Sequence, residues 1–410
     1  MSKANLHPQR PMRVMISAGE ASGEMYGAEL LIALRELAGA QAVECFGMGG
    51  ERMSEAGCDL VVHARDVAVV GLVEVLSHLP KIYRRFHNLL AEVDRRRPDV
   101  AVLIDFPDWN FRLAKQLHRR GIPVVYYVSP QLWAWRKSRL KLVQRYVSEM
   151  LVIIPFEREF YAKNGVQVEF VGHPLSELES PKVSREDFAA QWGLDPSRRW
   201  IALLPGSRRK ELRLNLPAML GAAERLGAEF EFLMPVASTL DEDWVRQQIA
   251  LCTSNAFASN LKVKLTADAR ASLLHARVGV VASGTATVEA ALIGTPFVMV
   301  YRVAGLTWTL GRHLVKLPYF GMVNLVAGRE VVPELIQGGF TPLSVEREVR
   351  ALLEDGPARQ RMTEALAEVR GMLRGELSAA PNLGLTGETT AQRAARVVLR
   401  VAELHLQKRE

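Results

Sequence analysis

Short runs of consecutive apolar residues, many of them β-branched, alternate along this chain with longer segments whose apolar positions recur every three to four residues. The spacing predicts strands at Arg13–Ser17, Val43–Phe46, Val100–Ile104, Val124–Val128, Leu151–Ile154 and Val168–Val171, and a first helix from about Ser22 to Leu37. Unbroken apolar strands separated by helices indicate a parallel sheet covered on both faces, in a doubly wound order. The stretch from Pro174 to Arg199 is polar, holds three prolines and breaks the rhythm. Alternation then restarts with Ile201–Leu204, Glu231–Met234, Val278–Val281 and Phe297–Val300, and after about Ser344 the pattern is helical throughout.

This organisation predicts an α/β chain of two Rossmann-like domains, residues 1–178 and 179–375, followed by a helical tail at 376–410. Two such domains imply a cleft between them. The tail could pack back on the first domain or exchange with a second copy to make a homodimer. In open α/β sheets ligands bind beyond the carboxyl ends of the strands, so each candidate motif is judged by whether it falls there.

Composition narrows the class. At 410 residues, 49% hydrophobic and 24% charged, the chain is globular rather than disordered. Its cysteines, Cys45, Cys58 and Cys252, are odd in number and lack metal-ligand spacing, which fits a reduced cytoplasmic protein. The polar N-terminus carries no signal-peptide core, and the most apolar stretch, Val67–Leu79, is interrupted by Glu74, Ser77 and His78. The net charge of +7 is clustered at Lys81, Arg84 and Arg85, at Arg95–Arg97, and at Arg136, Lys137, Arg139, Lys141 and Arg145. Such clusters suit an anionic partner or simply a solvated helix face.

Four loops fall at strand ends. Gly19-Glu20-Ala21-Ser22-Gly23 follows the first strand and opens a helix, giving a tight turn and free amides. Asp105-Phe-Pro-Asp-Trp-Asn110 places a carboxylate where it can take a proton from an attacking hydroxyl, so Asp105 is preferred as general base, with Glu20 and His173 as rivals. Asp108 or Asn110 would then cap the following helix. Leu204-Pro-Gly-Ser207-Arg208-Arg-Lys210 offers amides and a guanidinium to a diphosphate, with Arg208 neutralising charge on a leaving nucleotide. Ser283-Gly284-Thr285-Ala-Thr-Val-Glu289 brings a helix N-terminus close to a ligand, and Glu289, one turn beyond Thr285, can accept from the ribose hydroxyls. Asp241-Glu-Asp243 has the form of a metal-binding triplet but sits at a helix start, where acids are favoured by the dipole. The chemistry is expected to need no metal or other cofactor.

Together these loops resemble lipid-A-disaccharide synthases, glycosyltransferases of the GT-B fold. The matching segments are GEASGE, VGLVEVL, IDFPDWN, YYVSPQLWAWR, IIPFE, FVGHP, LLPGSR, ASGTATVE and VNLVAGRE, in one order from residue 13 to about residue 335. The resemblance implies an inverting transfer from UDP-2,3-diacylglucosamine to 2,3-diacylglucosamine 1-phosphate, giving a β-1,6 disaccharide and UDP. It implies Asp105 as the base, Arg208, Glu289 and Asn324 in donor handling, and Ser207, Gly284 and Thr285 lining the nucleotide site. Glu24 stands where the family commonly has Asp, and Val323-Asn324 where it has Pro-Asn.

Acylated substrates imply a peripheral position on the inner face of the cytoplasmic membrane. Val67, Val69, Val70, Leu72, Val73, Val75, Leu76 and Leu79, with the basic rim after them, could dip into its surface, or could form a helix buried in its own domain. Trp133 and Trp135 fit an interface or a core edge equally. A UDP-sugar 2-epimerase or a peptidoglycan-type glucosaminyltransferase is the nearest competing enzyme. Nucleic-acid binding is disfavoured because no corresponding signature accompanies the basic clusters.

Overall fold

The computed structural model describes residues 10–39, 41–67, 72–135, 137–252, 261–305, 308, 317–376 and 387–408, with only the backbone of residues 21, 72–79, 135 and 137. The chain divides into two compact units, one formed by Met1–Glu177 with Ser378–Glu410 and the other by Leu178–Leu377.

The first unit holds strands β1 (Met12–Ala18), β2 (Val43–Gly49), β3 (Asp59–His63), β4 (Val100–Ile104), β5 (Val124–Tyr127), β6 (Glu149–Val152) and β7 (Glu169–Phe170). Its helices are α1 (Ala21–Ala38), α2 (Glu51–Glu55), α3 (Leu72–Arg96), α4 (Pro107–Arg119), α5 (Leu132–Trp135), α6 (Leu140–Tyr146) and α7 (Pro155–Ala162). The strands form one parallel sheet in the order β3-β2-β1-β4-β5-β6-β7. Val100–Ile104 is apolar at every position because β4 lies at the middle of the sheet and is buried on both faces.

The second unit holds α8 (Arg185–Trp192), β8 (Arg199–Leu204), α9 (Arg209–Leu226), β9 (Phe230–Pro235), α10 (Glu242–Cys252), β10 (Val263–Thr266) and α11 (Ala269–His275). It continues with β11 (Val278–Ala282), α12 (Thr285–Ile293), β12 (Phe297–Tyr301), α13 (Met322–Ala327), β13 (Glu334–Ile336), α14 (Pro342–Leu353) and α15 (Pro357–Arg374). Its parallel sheet runs β10-β9-β8-β11-β12-β13. Both sheets are doubly wound, and each has one point where the strand order reverses: between β1 and β4, and between β8 and β11.

The final helix, α16 (Thr390–Gln407), returns to the first unit of its own chain, packing on α1 and beneath β4, β5 and β6. Its buried stripe is small and β-branched, with Ala394, Ala395, Val397, Val398 and Ala402 against the unit. Polar contacts fix its register. Thr390 Oγ1 donates to Glu177 at 2.6 Å, Arg393 Nε to the Val171 carbonyl at 2.7 Å, and Arg400 pairs with Glu169 at 2.9 Å.

The structure bears on two surface features that the sequence left open. Trp133 is buried, donating from Nε1 to the buried Glu157 carboxylate at 3.1 Å, so it belongs to the core rather than to an interface. Val67 is buried, whereas Val69, Val70 and Arg136 lie outside the described residues, as do the side chains of Leu72, Val73, Val75, Leu76, Leu79, Trp135 and Lys137. Lys81 and Arg85 both pair with Asp66, at 3.0 and 2.9 Å, while Arg84 is exposed. No helix among the described residues is long and apolar enough to cross a membrane.

Candidate functional site

The predicted loops occupy both switch points. In the second unit, β8 ends at Leu204 and the chain turns through Gly206 into α9. In the neighbouring strand, β11 ends at Ala282 and turns through Gly284 into α12. Gly206 has φ +119°, and a Cβ there would press on Glu211 at 2.8 Å, so glycine is required. Asn215 holds the turn by donating to the Pro205 carbonyl at 2.8 Å, and Thr239 Oγ1 donates to the Ser207 carbonyl at 2.6 Å. Neither Arg208 nor Gly284, the two N-cap residues, supplies a capping side chain. No side chain covers the start of either helix, although the Thr287 amide of α12 already donates to the Gly284 carbonyl at 3.1 Å, so the exposed helix ends can meet an anion with the remaining first-turn amides.

These turns line a cavity of about 490 Å³, within the range of small-molecule sites. Ser207, Arg208, Gly284, Thr285 and Glu289, all read from the sequence as nucleotide-site residues, lie on its wall together with Glu211, which was not. Arg208 pairs with Glu211 at 3.1 Å. The signal for Glu211 is its position three residues after Arg208, one helical turn along. Glu289 is half-buried and, among the described residues, its carboxylate takes part in no hydrogen bond or ion pair. Burial raises its pKa, opposed by Arg270 and reinforced by Asp268. Two helix N-termini, a guanidinium and an unsatisfied carboxylate are groups that could receive an anionic ligand carrying hydroxyls.

Asn324 is not part of this wall. It is fully buried: its Nδ2 donates to the Val332 carbonyl and to Glu334, both at 2.9 Å, and its Oδ1 accepts from the amides of Val331 (2.7 Å) and Val332 (3.0 Å). Both donors and both acceptor sites are spent on its own turn, so it shapes the segment before β13 and has nothing left for a ligand. Asp241 likewise accepts from the Trp244 amide at 2.8 Å at the start of α10, and Glu242 pairs with Arg246.

In the first unit, Glu20 lies in the turn after β1 and Asp105 directly follows β4, at the other switch point. Glu20 is exposed; Asp105 is half-buried. Burial, and then the like charge of Glu20, raise the Asp105 carboxyl from its ordinary 3.8 to about 7, with the Phe106 amide opposing. A carboxylate titrating there is suited to accept a proton at neutral pH. The two turns interlock, since a Cβ on Gly19 would overlap the Phe106 ring.

The backbone carrying Asp105 is strained. Asp105 and Phe106 have φ of +44° and +45°, a left-handed pair of non-glycine residues costing about 1–3 kcal/mol each. Neither Asp108 nor Asn110 caps α4 as the sequence suggested. Phe106 is the N-cap without a side-chain bond, Pro107 opens the helix, and Asp108 pairs with Arg139. Asn110 is instead buried beneath the strand ends.

The rival base His173 is buried. It accepts from the Leu175 amide at Nδ1 (3.2 Å), and burial lowers its pKa to about 4. With the proton then on Nε2, the ring can donate but has no free lone pair for proton abstraction. Glu24 accepts from the Arg52 amide at 2.7 Å, capping α2, a structural role that its longer side chain reaches.

Residues 14–379 match the family model described as lipid-A-disaccharide synthetase. The lipid-A-disaccharide synthase of Koribacter versatilis (strain Ellin345) is 58% identical over 392 residues, covering 96% of this chain and 99% of its own. Among solved structures, the glycotransferase of kitacinnamycin superposes with a TM-score of 0.63 at 15% identity, covering 96% of this chain and all (100%) of that one. A UDP-GlcNAc 2-epimerase from Neisseria meningitidis superposes with a TM-score of 0.60 at 12% identity, covering 89% and 98%. At such identities the likeness establishes the fold alone, and the fold serves more than one reaction.

Proposed function

Since this chain belongs to the lipid-A-disaccharide synthase family, a hexosyltransferase family, we propose that it joins UDP-2,3-diacylglucosamine to 2,3-diacylglucosamine 1-phosphate. The product is a β-1,6-linked disaccharide, and UDP is released. In this reading the second unit holds the UDP-sugar. The helix N-termini of α9 and α12, with Arg208, stabilise the negative charge that develops on the diphosphate as the bond from the sugar C1 breaks. Glu289 accepts from the ribose hydroxyls. Asp105 takes the proton from the acceptor 6-hydroxyl as its oxygen attacks C1 from the face opposite UDP, inverting the anomeric carbon.

The observation that carries the reading is the second unit's cavity. It brings two uncapped helix N-termini, Arg208 and an unengaged Glu289 to one switch point. Incubating the purified protein with both diacylated glucosamines should release UDP and disaccharide in equal amounts. UDP release without disaccharide, or epimerisation of the donor sugar, would overturn it.

We also propose that the enzyme works at the inner surface of the cytoplasmic membrane, because four acyl chains must reach and leave the site. Exposed Arg84 on α3 is the cation we assign to acidic headgroups, since Lys81 and Arg85 are paired with Asp66. The protein should sediment with vesicles containing acidic phospholipid and be released by salt; equal recovery with neutral vesicles at high salt would remove the electrostatic part.

A further inference from the structure

Asn110 is one of the few fully buried polar side chains of the first unit, and its amide reaches the ends of two strands, β1 and β4. Its Nδ2 lies 2.8 Å from the Asp105 carbonyl, 3.1 Å from the Ile104 carbonyl and 3.4 Å from the Ser17 carbonyl. Its Oδ1 accepts from Ser17 Oγ at 2.8 Å. The Asp105 carbonyl takes a second hydrogen bond, from Tyr126 Oη at 2.6 Å, and its amide donates to the Tyr127 carbonyl at 3.1 Å. Every backbone polar group of Asp105 is thus bonded. Without these bonds, nothing local keeps a left-handed pair at Asp105–Phe106, because both residues would relax to extended or helical backbone.

We propose that Asn110, assisted by Ser17 and Tyr126, is a positioning residue that holds Asp105 in its left-handed conformation so that the carboxylate emerges beside Glu20 at the switch point. The inference rests on the assignment of Asp105 as the base. The amide is suited to the task because it donates to the carbonyls of β4 while accepting from β1, which ties the two strand ends whose separation sets the site. Aspartate at 110 would be isosteric but would lack the donor, and serine would be too short to span both strands. A base displaced by even 1 Å loses rate steeply.

A purely architectural asparagine and a positioning one differ in what the pH profile does. The ionisable groups that act on Asp105 are Glu20 after β1 and Tyr126 on β5, with Tyr161, Asp108 and Arg139 acting in turn on Tyr126. Releasing the clamp lets Asp105 relax away from Glu20 and into water, so the acidic limb of kcat/KM moves to lower pH. Asn110→Ala is expected to lower kcat by about 100-fold with both KM values and UDP affinity unchanged, and to shift that limb downward. Tyr126→Phe removes only one hydroxyl donor and should give a smaller loss with the same direction of shift, so the idea stays testable if Asn110→Ala folds poorly. A folded variant whose limb stays at the wild-type pH, whatever its rate, overturns the proposal while leaving Asp105 as base. Wild-type turnover by Asp105→Asn would instead remove the base assignment, and the positioning role with it.

Discussion

Asp105 should make the folded protein less stable than a neutral residue would, and replacing it should trade activity for stability. The carboxyl rises from 3.8 to about 7 on folding, chiefly through burial and secondly through Glu20. A folded-state pKa raised for an acid means that the unfolded chain ionises first. The destabilisation is therefore absent below pH 4, grows through the window from 4 to 7, and is present in full above 7. At ~1.4 kcal/mol per pH unit the full effect is ~4 kcal/mol, and partial solvent access to the carboxylate reduces it to ~2 kcal/mol. Asparagine keeps the shape, tolerates φ +44° well and carries no charge to desolvate. Asp105→Asn should therefore raise the first unit's unfolding midpoint by ~4–8 °C at pH 8, given ~2–4 °C per kcal/mol for a domain of this size. The gain should shrink as pH falls and vanish near pH 4, while turnover is lost. Scanning calorimetry of the two proteins at pH 8, 6 and 4 measures it. A folded Asp105→Asn protein with an unchanged or lower midpoint at pH 8 would refute the account of a desolvated, charge-repelled carboxylate.

Wild-type kcat/KM should fall about tenfold per pH unit below a limb near 7, and Glu20→Gln should move that limb downward; a limb indifferent to the charge at 20 would remove the coupling. Glu289→Ala and Arg208→Ala should each weaken UDP binding by about 10–100-fold in calorimetric titration, the value of a charge-assisted hydrogen bond, and wild-type affinity in both would empty the second-unit site. Asn324→Ala should lower the second unit's stability by ~2–4 kcal/mol in denaturant, by leaving the Val331 and Val332 amides unpaired, yet bind UDP normally wherever it remains folded. Activity should survive EDTA, because Asp241 and Glu242 are engaged by Trp244 and Arg246, and in the proposed donor site Arg208 and two helix ends supply the charge for the diphosphate. Inhibition reversed by magnesium would contradict this.

The strands visible in the sequence are mostly those buried on both faces, because only they are apolar at every position. Val100–Ile104 and Val278–Ala282 lie at the centres of their sheets and are plain as runs. The strands the pattern misses, Asp59–His63, Val263–Thr266 and Glu334–Ile336, are all edge strands with half-exposed positions, so their composition resembles that of the loops. Side-chain roles divide similarly. A loop after a strand is legible, and Ser207, Gly284 and Glu289 could be assigned to one wall from spacing and resemblance. Asn110 and Asn324 look like a cap and a ligand in one dimension. What they do depends on carbonyls and amides brought to them by segments up to 93 residues away, as for Ser17 and Asn110. His173 shows the converse: a histidine at a strand end has the composition of a base, and only the Leu175 amide on its Nδ1 shows which lone pair is taken.

Because α16 fills the underside of the first unit, that unit is built from two separated stretches of the chain, whereas the second comes from the one continuous stretch between them. During translation the second unit can complete its core as soon as it clears the ribosomal exit tunnel. The first must wait, with the hydrophobic faces of α1 and β4 lacking their cover, until the helix bearing Val397 and Val398 has been synthesised. A nascent N-terminal segment with those faces uncovered is prone to off-pathway association until the helix arrives.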